Sequence, residues 1–391
     1  MYKDLPFECV AMVLQGGGAL GSYQAGVYEA FAEVDLHPNW VSGISIGSIN
    51  SALIAGNPPE KRVQALRSFW ELITKRSEYR MNWLDVLQGV PEASADFIHT
   101  WLNQLSANET LIAGAPGFFV PRPIPPYWAL KASEHALSFY DTAPLRRTLE
   151  RLVDFDRINS KEMRFSVGAV HVTSGNFVYF DNTTHTIDAR HIMASGALPP
   201  GLPAVDIDGE YYWDGGVVSN TPLRWVLDSQ PAQDTLAFQV DLWSAAGEYP
   251  TDLVSQDVRL KDIRYSSRTR YGTDQFRNKQ GLRRALHHVL QELPESVRNS
   301  QSPNMQRLLE AANDKSYNIV QLIYRAKNYE GNSKDYEFSR STMEEHWAAG
   351  YNDAREALRY PEIFKLSTQP DGVSTFDLLT LRKEGTQELG D

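Results

Sequence analysis

The sequence predicts an α/β fold, with a central, mostly parallel sheet between two helical layers, plus a mostly helical C-terminal extension. Two observations near the N-terminus lead to this prediction. Residues 9–14 form a short, continuous apolar run that ends in glycines, which is typical of a buried parallel strand. Residues 22–34 then place apolar side chains at helical spacing, and the alternation of strand and helix continues downstream.

The composition is that of a folded globular protein. The chain has 391 residues, 42% of them hydrophobic, which is enough to bury a sizeable core. Its net charge of −11 argues against a basic nucleic-acid binder, and its single cysteine, Cys9, excludes an intrachain disulfide and a cysteine-cluster metal site. We find no targeting signal and no run of ~18 apolar residues, so we expect a cytoplasmic protein.

Later segments repeat the α/β pattern. The predicted elements are a strand at residues 40–41, helices at 46–55 and 60–75, strands at 165–172 and 177–180, a helix at 191–198 and a strand at 235–242. Asp208-Gly209 between two strand-like runs indicates a β-hairpin. We divide the chain at about residue 250, and in the C-terminal segment (residues 251–391) we predict helices and one strand at 318–324.

An insertion at about residues 80–140 interrupts the pattern. Five prolines between residues 114 and 128 exclude a helix interior or a central strand and predict a long loop. Its aromatic residues have two interpretations: a lid or acyl-chain rim over a site, or a surface loop that packs its own rings. These residues are Phe118, Phe119, Tyr127 and Trp128.

Gly43-Ile44-Ser45-Ile46-Gly47 is a G-x-S-x-G pentapeptide with a predicted strand before it and a helix after it. Such an elbow places a serine on a sharp turn, and Gly43 and Gly47 leave room for the backbone and for substrate. The alternative is a turn that only reverses the chain.

A second segment, the glycine loop (residues 16–21), lies between the first strand and the first helix. Exposed N–H groups at a helix N-terminus stabilise an anion or an oxyanion. A phosphate-binding P-loop is excluded because no lysine follows Gly21. A dinucleotide site stays open, because Gly16, Gly18 and Gly21 match G-x-G-x-x-G, although no acidic residue stands at the end of the second strand. An oxyanion hole for Ser45 is the third use.

The third segment is Asp214-Gly215-Gly216, directly after a strand-like run. Gly215 and Gly216 leave the Asp214 carboxylate unobstructed at the end of the strand, although a polar turn explains the same residues.

In this order, the three segments resemble the patatin-like phospholipase family. Residues 194–199 and the hairpin before Asp214 are also similar to that family, and the resemblance covers about residues 8–242. Residues 263–270 resemble the C-terminal extension of one bacterial branch. The resemblance makes residues 1–250 a catalytic domain with a three-layer patatin-like fold.

The resemblance implies a serine hydrolase of lipid esters that uses a Ser–Asp dyad without histidine. Ser45 would be the nucleophile that forms an acyl-enzyme, and Asp214 would be the base. Aspartate is a weak base at its ordinary pKa of ~3.9, so burial beside Ser45 should raise that pKa.

The resemblance also assigns an oxyanion hole to the glycine loop, with the N–H groups of Gly17 and Gly18 as donors and that of Ile46 as a further one. The glycines of this hole are Gly16, Gly17, Gly18 and Gly21. No metal or organic cofactor is implied.

Besides the dinucleotide site, three alternatives remain open. A Ser–His–Asp triad would use a histidine after Asp214, namely His287, His288 or His346. An esterase or depolymerase would act on short acyl esters or polyester oligomers, and a binding protein would keep the fold without catalysis. Leu20 stands where many family members have a basic residue, which makes a phospholipid substrate less secure.

Residues 259–284 contain nine Lys or Arg and two Asp. These cations either contact an anionic membrane peripherally or pair with the chain's own acids, and we favour pairing. The sequence predicts a lipid or other acyl-ester substrate, no nucleic-acid partner and no particular oligomeric state.

Overall fold

The computed structural model describes residues 5–74, 106–131, 133–266, 269–327, 330–378 and 381. Over these residues the chain has the mixed α/β architecture that the sequence predicts, with a central, mostly parallel sheet and many helices. The strands are β1 (Cys9–Leu14), β2 (Trp40–Gly43), β3 (Val120–Pro121), β4 (Tyr140–Asp141), β5 (Arg164–His171), β6 (Phe177–Asp181), β7 (Val205–Ile207), β8 (Glu210–Asp214), β9 (Thr235–Asp241), β10 (Tyr317–Ile323) and β11 (Val373–Asp377).

The helices match most of the predicted helical segments within a few residues. They are α1 (Ser22–Glu33), α2 (Ile46–Ala55), α3 (Pro59–Ile73), α4 (residues 106–113), α5 (Ala143–Leu152), α6 (Phe155–Asn159), α7 (Ala189–Ser195), α8 (Leu223–Leu227), α9 (Leu253–Tyr265), α10 (Thr269–Glu292), α11 (Glu295–Arg298), α12 (Pro303–Ala311) and α13 (Arg340–Ala357). None of these helices, within the described residues, is both long and apolar enough to cross a membrane.

The main sheet of the described residues has nine strands, with the order β11-β10-β9-β1-β2-β5-β8-β7 and β6 paired to β5. Strand β1 lies between β2 and β9, parallel to both, and all six of its residues are buried. A continuous apolar run suits this position because helices cover both faces of a parallel sheet.

Strand β5 brings the ends of two other strands together. On one edge it pairs with β2 up to the Gly43–Val167 pair and with β8 from the Asp214–Ala169 pair onward. Strand β6 pairs with the opposite edge of β5, at residues that overlap both of these pairings. Because β2 runs parallel to β5 and β8 antiparallel, their C-terminal ends face each other on one edge.

The C-terminal segment contributes to the same sheet. Strand β10 pairs with β9 and β11 pairs with β10, both in parallel. Helix α13 packs closely on α1, and glycine is required at the contact. A Cβ added to Gly26 or to Gly350 would lie only 1.9 Å from a carbonyl oxygen of the opposite helix. The segment is mostly helical, as predicted, but residue 250 does not mark an edge of the sheet.

The insertion is described only from residue 106, so its predicted part at residues 80–105 lies outside the described residues. Phe118 and Phe119 are buried and pack edge-on against Phe338, which differs from a rim that presents both rings to substrate. Tyr127 and Trp128 are 86% and 82% exposed. The lid therefore stays a prediction for these two side chains alone.

Several cations of the basic stretch pair with acids of the same chain, as we favoured. Lys279 lies 2.7 Å from Asp228, and Arg277 lies 3.0 Å from Asp371. Lys261 forms a third pair, described below. Residues 267 and 268 lie outside the described residues.

Candidate active site

Ser45 lies between β2 and α2 in a strained backbone conformation. Its φ of 54° and ψ of −124° fall where non-glycine residues are rare, and such outliers cluster at functional sites. Its N–H donates to the carbonyl and the hydroxyl oxygen of Ser195, each at 3.1 Å. These bonds fix the turn and leave the Ser45 side chain at the end of the sheet.

The glycines of the elbow are required by close backbone contacts. A Cβ on Gly43 would lie 2.2 Å from the carbonyl oxygen of Gly47, and one on Gly47 would lie 2.3 Å from that of Leu14. Both contacts are shorter than a side chain tolerates, so the pentapeptide can form this turn only with glycine at both positions.

Asp214 is the last residue of β8, and it is 2% exposed. Its carboxylate accepts a hydrogen bond at 2.7 Å from the N–H of Gly216. Burial raises the pKa of Asp214 to about 6, although the adjacent Ser45 hydroxyl and the Gly216 N–H lower it. The raised pKa agrees with the expectation from the sequence.

The glycines after Asp214 also make close contacts. A Cβ on Gly215 would lie 2.7 Å from the carbonyl oxygen of Gly168 on β5, and one on Gly216 would lie 3.1 Å from the Asp214 carboxylate. The segment therefore folds tightly around the carboxylate instead of forming an open polar turn.

The glycine loop lies directly against Ser45. A Cβ on Gly16 would be 3.0 Å from the Cβ of Ser45, and Gly18 has a φ of +55°, which favours glycine. Among the described residues, none accepts a hydrogen bond from the N–H of Gly17 or Gly18.

The other two glycines of the loop are engaged differently. The N–H of Gly16 donates to the carbonyl of Asn220 at 3.2 Å. Gly21 makes room for Ile46 and Trp70, because a Cβ there would lie 2.5 Å from Ile46. The structure thus separates the four predicted glycines into two with free N–H groups and two with packing or hydrogen-bonding roles.

Gln15, which precedes the loop, is a supporting residue that the sequence did not reveal. It is fully buried, and its Oε1 accepts the N–H groups of Leu242 and Trp243 at 2.7 and 2.9 Å. Its Nε2 donates to the Thr221 hydroxyl at 2.8 Å and to the Tyr265 carbonyl at 3.2 Å. The one available signal was its place directly before the first glycine.

Asn220 and Trp243 hold the Gly16 carbonyl. The Asn220 Nδ2 and the Trp243 Nε1 each donate to this oxygen at 2.9 Å. Asn220 Nδ2 also donates to the Tyr265 carbonyl at 2.9 Å. A single asparagine or tryptophan has no sequence pattern, so neither could be assigned beforehand.

The three histidines that follow Asp214 have other partners. His287 lies 3.8 Å from Asp314 and against the ring of His288, and the buried His346 lies 3.3 Å from Glu330. None of these contacts involves the Ser45 hydroxyl.

The fold and this arrangement define an α/β protein whose serine elbow faces a buried carboxylate. A protein-family model described as patatin-like phospholipase matches residues 12–227. The chain therefore belongs to this family of lipid hydrolases. A second model, described as patatin phospholipase, matches residues 263–369. Both matches confirm the resemblance seen in the sequence.

Two solved structures are similar to the chain. VipD from Legionella pneumophila shares 14% identity at a TM-score of 0.39, over 90% of this chain and 67% of its own. The complex of SpcU with ExoU, from the type III secretion system of Pseudomonas aeruginosa, matches at 15% identity and a TM-score of 0.29. That match covers 77% of this chain and 59% of the other. A search of curated proteins found no match.

Proposed function

We propose that the protein hydrolyses carboxylic esters of lipids through a Ser45–Asp214 dyad. The observation that supports this function best is the position of the Ser45 hydroxyl, at a strained elbow, beside the buried Asp214 carboxylate, whose pKa it lowers. A serine hydroxyl is a weak nucleophile unless a base lies within hydrogen-bond reach, and we assign Asp214 as that base.

The reaction proceeds in two halves. Ser45 Oγ attacks the ester carbonyl carbon while its proton passes to Asp214, and the tetrahedral intermediate then expels the alcohol, which takes that proton. Asp214 next accepts a proton from water as the water oxygen attacks the acyl-enzyme. The acid leaves and Ser45 regains its proton, so one ester and one water give one acid and one alcohol.

The raised pKa suits this double role. At its ordinary pKa, an aspartate would hold the serine proton too weakly to be an efficient base. A pKa of about 6 lets Asp214 be ionised at neutral pH and still return a proton to the leaving alcohol.

The N–H groups of Gly17 and Gly18 are our candidates for the oxyanion hole. Each such donor contributes ~2.7–4 kcal/mol to transition-state stabilisation. We assign no donor role to Gly16, because its N–H is bound to Asn220, or to Gly21, because it packs against Ile46.

The headgroup specificity stays open between phospholipid, neutral lipid and shorter acyl esters. Leu20 is fully buried, so position 20 presents no side chain to a headgroup. The absence of a basic residue there is therefore compatible with either a charged or a neutral lipid.

The test is hydrolysis of a panel that runs from short aryl esters through neutral lipids to phospholipids. We expect Ser45→Ala to lower kcat by at least ~10³-fold and Asp214→Asn by ~10²–10⁴-fold. Ser51→Ala is the matched control, because Ser51 is a buried serine of α2, the helix that follows Ser45, and its hydroxyl has no hydrogen-bond partner among the described residues. Activity retained in folded Ser45→Ala would disprove the dyad.

A further inference from the structure

Two backbone carbonyls of the C-terminal segment hold the glycine loop. The Asp335 carbonyl accepts the N–H of Ala19 at 2.8 Å. It lies so close to Gly18 that a Cβ on Gly18 would approach within 2.0 Å of this oxygen. The Tyr265 carbonyl, at the end of α9, accepts the side-chain amides of Gln15, which directly precedes the loop, and of Asn220, which donates to the Gly16 carbonyl.

Two crossed salt bridges join α9, which ends at Tyr265, to the chain at Asp335. Lys261 Nζ lies 2.5 Å from the Asp335 carboxylate, and Lys334 Nζ lies 2.6 Å from that of Asp262. Each side of this salt-bridge quartet (Lys261, Asp262, Lys334 and Asp335) is a consecutive Lys-Asp pair. The Lys334 side chain is only 3% exposed and the other three are 19–21% exposed, so the quartet is shielded from solvent.

Trp243 connects the quartet to the loop. Its ring lies 5.7 and 5.1 Å from the ammonium groups of Lys261 and Lys334, within the range of a cation–π contact. The Tyr265 ring packs against it at 5.3 Å, and its indole N–H donates to the Gly16 carbonyl. A displacement of the quartet would thus pass directly to Gly16.

Tyr265 also lies close to the dyad acid. Burial raises the pKa of its hydroxyl, and the negative charges of Asp335 and Asp214 raise it further. The end of α9 is therefore part of the surroundings of the site rather than a remote surface.

We propose that the C-terminal segment positions the oxyanion-hole loop, through the carbonyls of Tyr265 and Asp335 and the quartet that holds them. This inference rests on the proposed function, because it assumes that Gly17 and Gly18 stabilise the oxyanion. These are positioning residues, since they act through the loop. Displacement of the two N–H groups weakens transition-state binding more than ground-state binding, so kcat falls while KM changes little.

Two variants test the proposal by independent routes. Lys261→Met opens one salt bridge, and Trp243→Phe removes the hydrogen bond to Gly16 while keeping a ring. We expect each to lower kcat by ~10–100-fold, the size of effect that a misplaced oxyanion donor produces, with KM nearly unchanged. Lys279→Met is the matched control, because it breaks a salt bridge of the same segment that does not touch the loop.

Reaction with a serine-directed phosphonate separates loop position from folding. The labelled fraction counts intact sites, and the labelling rate reports the oxyanion hole. We expect Lys261→Met and Trp243→Phe to label fully but slowly, and the reversed pair Lys261→Asp/Asp335→Lys to label faster than Lys261→Met. Should Lys261→Met not fold, Trp243→Phe decides.

The outcomes separate this inference from the proposed function. If Ser45→Ala is inactive while Lys261→Met and Trp243→Phe keep the wild-type kcat and labelling rate, the positioning role is wrong and the dyad stands. If the reversed pair labels no faster than Lys261→Met, the quartet has no such role. If Ser45→Ala stays active, the dyad itself is wrong, and with it the assumption on which this inference rests.

Discussion

The Ser45 hydroxyl lies beside the carboxylate of Asp214, which is almost completely removed from solvent, and lowers the pKa of that carboxylate. Strand β5 makes this contact, because it pairs with the end of β2 and with the end of β8 on the same edge. The burial that results raises the pKa of Asp214 to about 6. The first two predictions follow from this relationship.

The pH dependence of catalysis should report the ionisation of Asp214. Its carboxylate accepts the serine proton only when ionised, so kcat/KM should rise with pH through about 6 and level off above it. The measurement is kcat/KM for a soluble ester from pH ~4.5 to ~8. A profile that is flat across this interval would contradict Asp214 as the base.

The same pKa predicts that Asp214→Asn is more stable than the wild type at neutral pH. Because the folded protein holds the Asp214 proton up to about pH 6 and the unfolded chain loses it near 3.8, stability falls as pH rises through this window. Two pKa units correspond to ~3 kcal/mol above pH 6, and the asparagine variant escapes this cost.

The difference in the free energy of unfolding between Asp214→Asn and the wild type should be measured by urea unfolding at several pH values. Asp257→Asn, which changes an exposed carboxylate, is the control. We expect the gain of Asp214→Asn to shrink towards zero near pH 4. A gain that does not depend on pH would mean that ionisation of Asp214 has no part in it.

Gly16→Ala should damage catalysis more than folding. Its Cβ would meet the Asn220 side-chain oxygen at 2.3 Å and the Ser45 Cβ at 3.0 Å, so the loop or the serine must move. We expect kcat to fall by ~10²-fold, as for other small displacements of reacting groups. Gly272→Ala in α10 is the control and should leave kcat unchanged, because a Cβ there would meet no described residue outside its own helix turn within 4 Å.

If the predicted rim exists, Tyr127 and Trp128 should contact an apolar surface or an apolar substrate. Both are more than four-fifths exposed, so Tyr127→Ser/Trp128→Ser should fold normally and hydrolyse a short soluble ester at the wild-type rate. We expect weaker binding to phospholipid vesicles and a changed chain-length preference, measured by sedimentation and by the ester panel. Tyr249→Ser, at a 92% exposed site, is the control. Unaltered binding and preference would remove the rim.

The histidines after Asp214 should be dispensable for the chemistry. His287→Ala and His288→Ala alter partly exposed side chains and should keep kcat within ~2-fold. His346→Ala removes one of the partners of the buried Glu330, which keeps its hydrogen bonds from the Tyr324 hydroxyl and the Lys327 N–H, so we expect a lower Tm but an unchanged rate for each phosphonate-labelled site. A folded variant of the three that loses activity as Ser45→Ala does would instead favour a triad.

The local part of the site could be predicted from sequence because each segment carries its own steric signal. Gly43 is required by a backbone contact with Gly47 inside the turn, although the contact that requires Gly47 is with Leu14 on β1. The residues of the elbow, and the glycines that follow Asp214, lie within a few positions of one another, so a single sequence displays each segment.

Long-range pairing could not be predicted in the same way. Residues 318–324 were predicted as a strand, but an apolar run does not say which neighbour it pairs with, and β10 joins β9 at the main sheet. Gln15 and Asn220 were missed because their roles depend on the Tyr265 carbonyl, far away in sequence. For Phe118 the sequence left both a rim and a packed loop open, because exposure cannot be read from residue type.

The pairing of β9 with β10 limits how the chain can be divided. A fragment that ends near residue 250 would keep the elbow, the acid and the glycine loop, yet it would lose β10. Strand β9, whose seven residues are all buried, would then become an open edge with unpaired N–H and carbonyl groups. Such an edge readily recruits another chain, so the fragment would tend to aggregate before its catalysis could be measured.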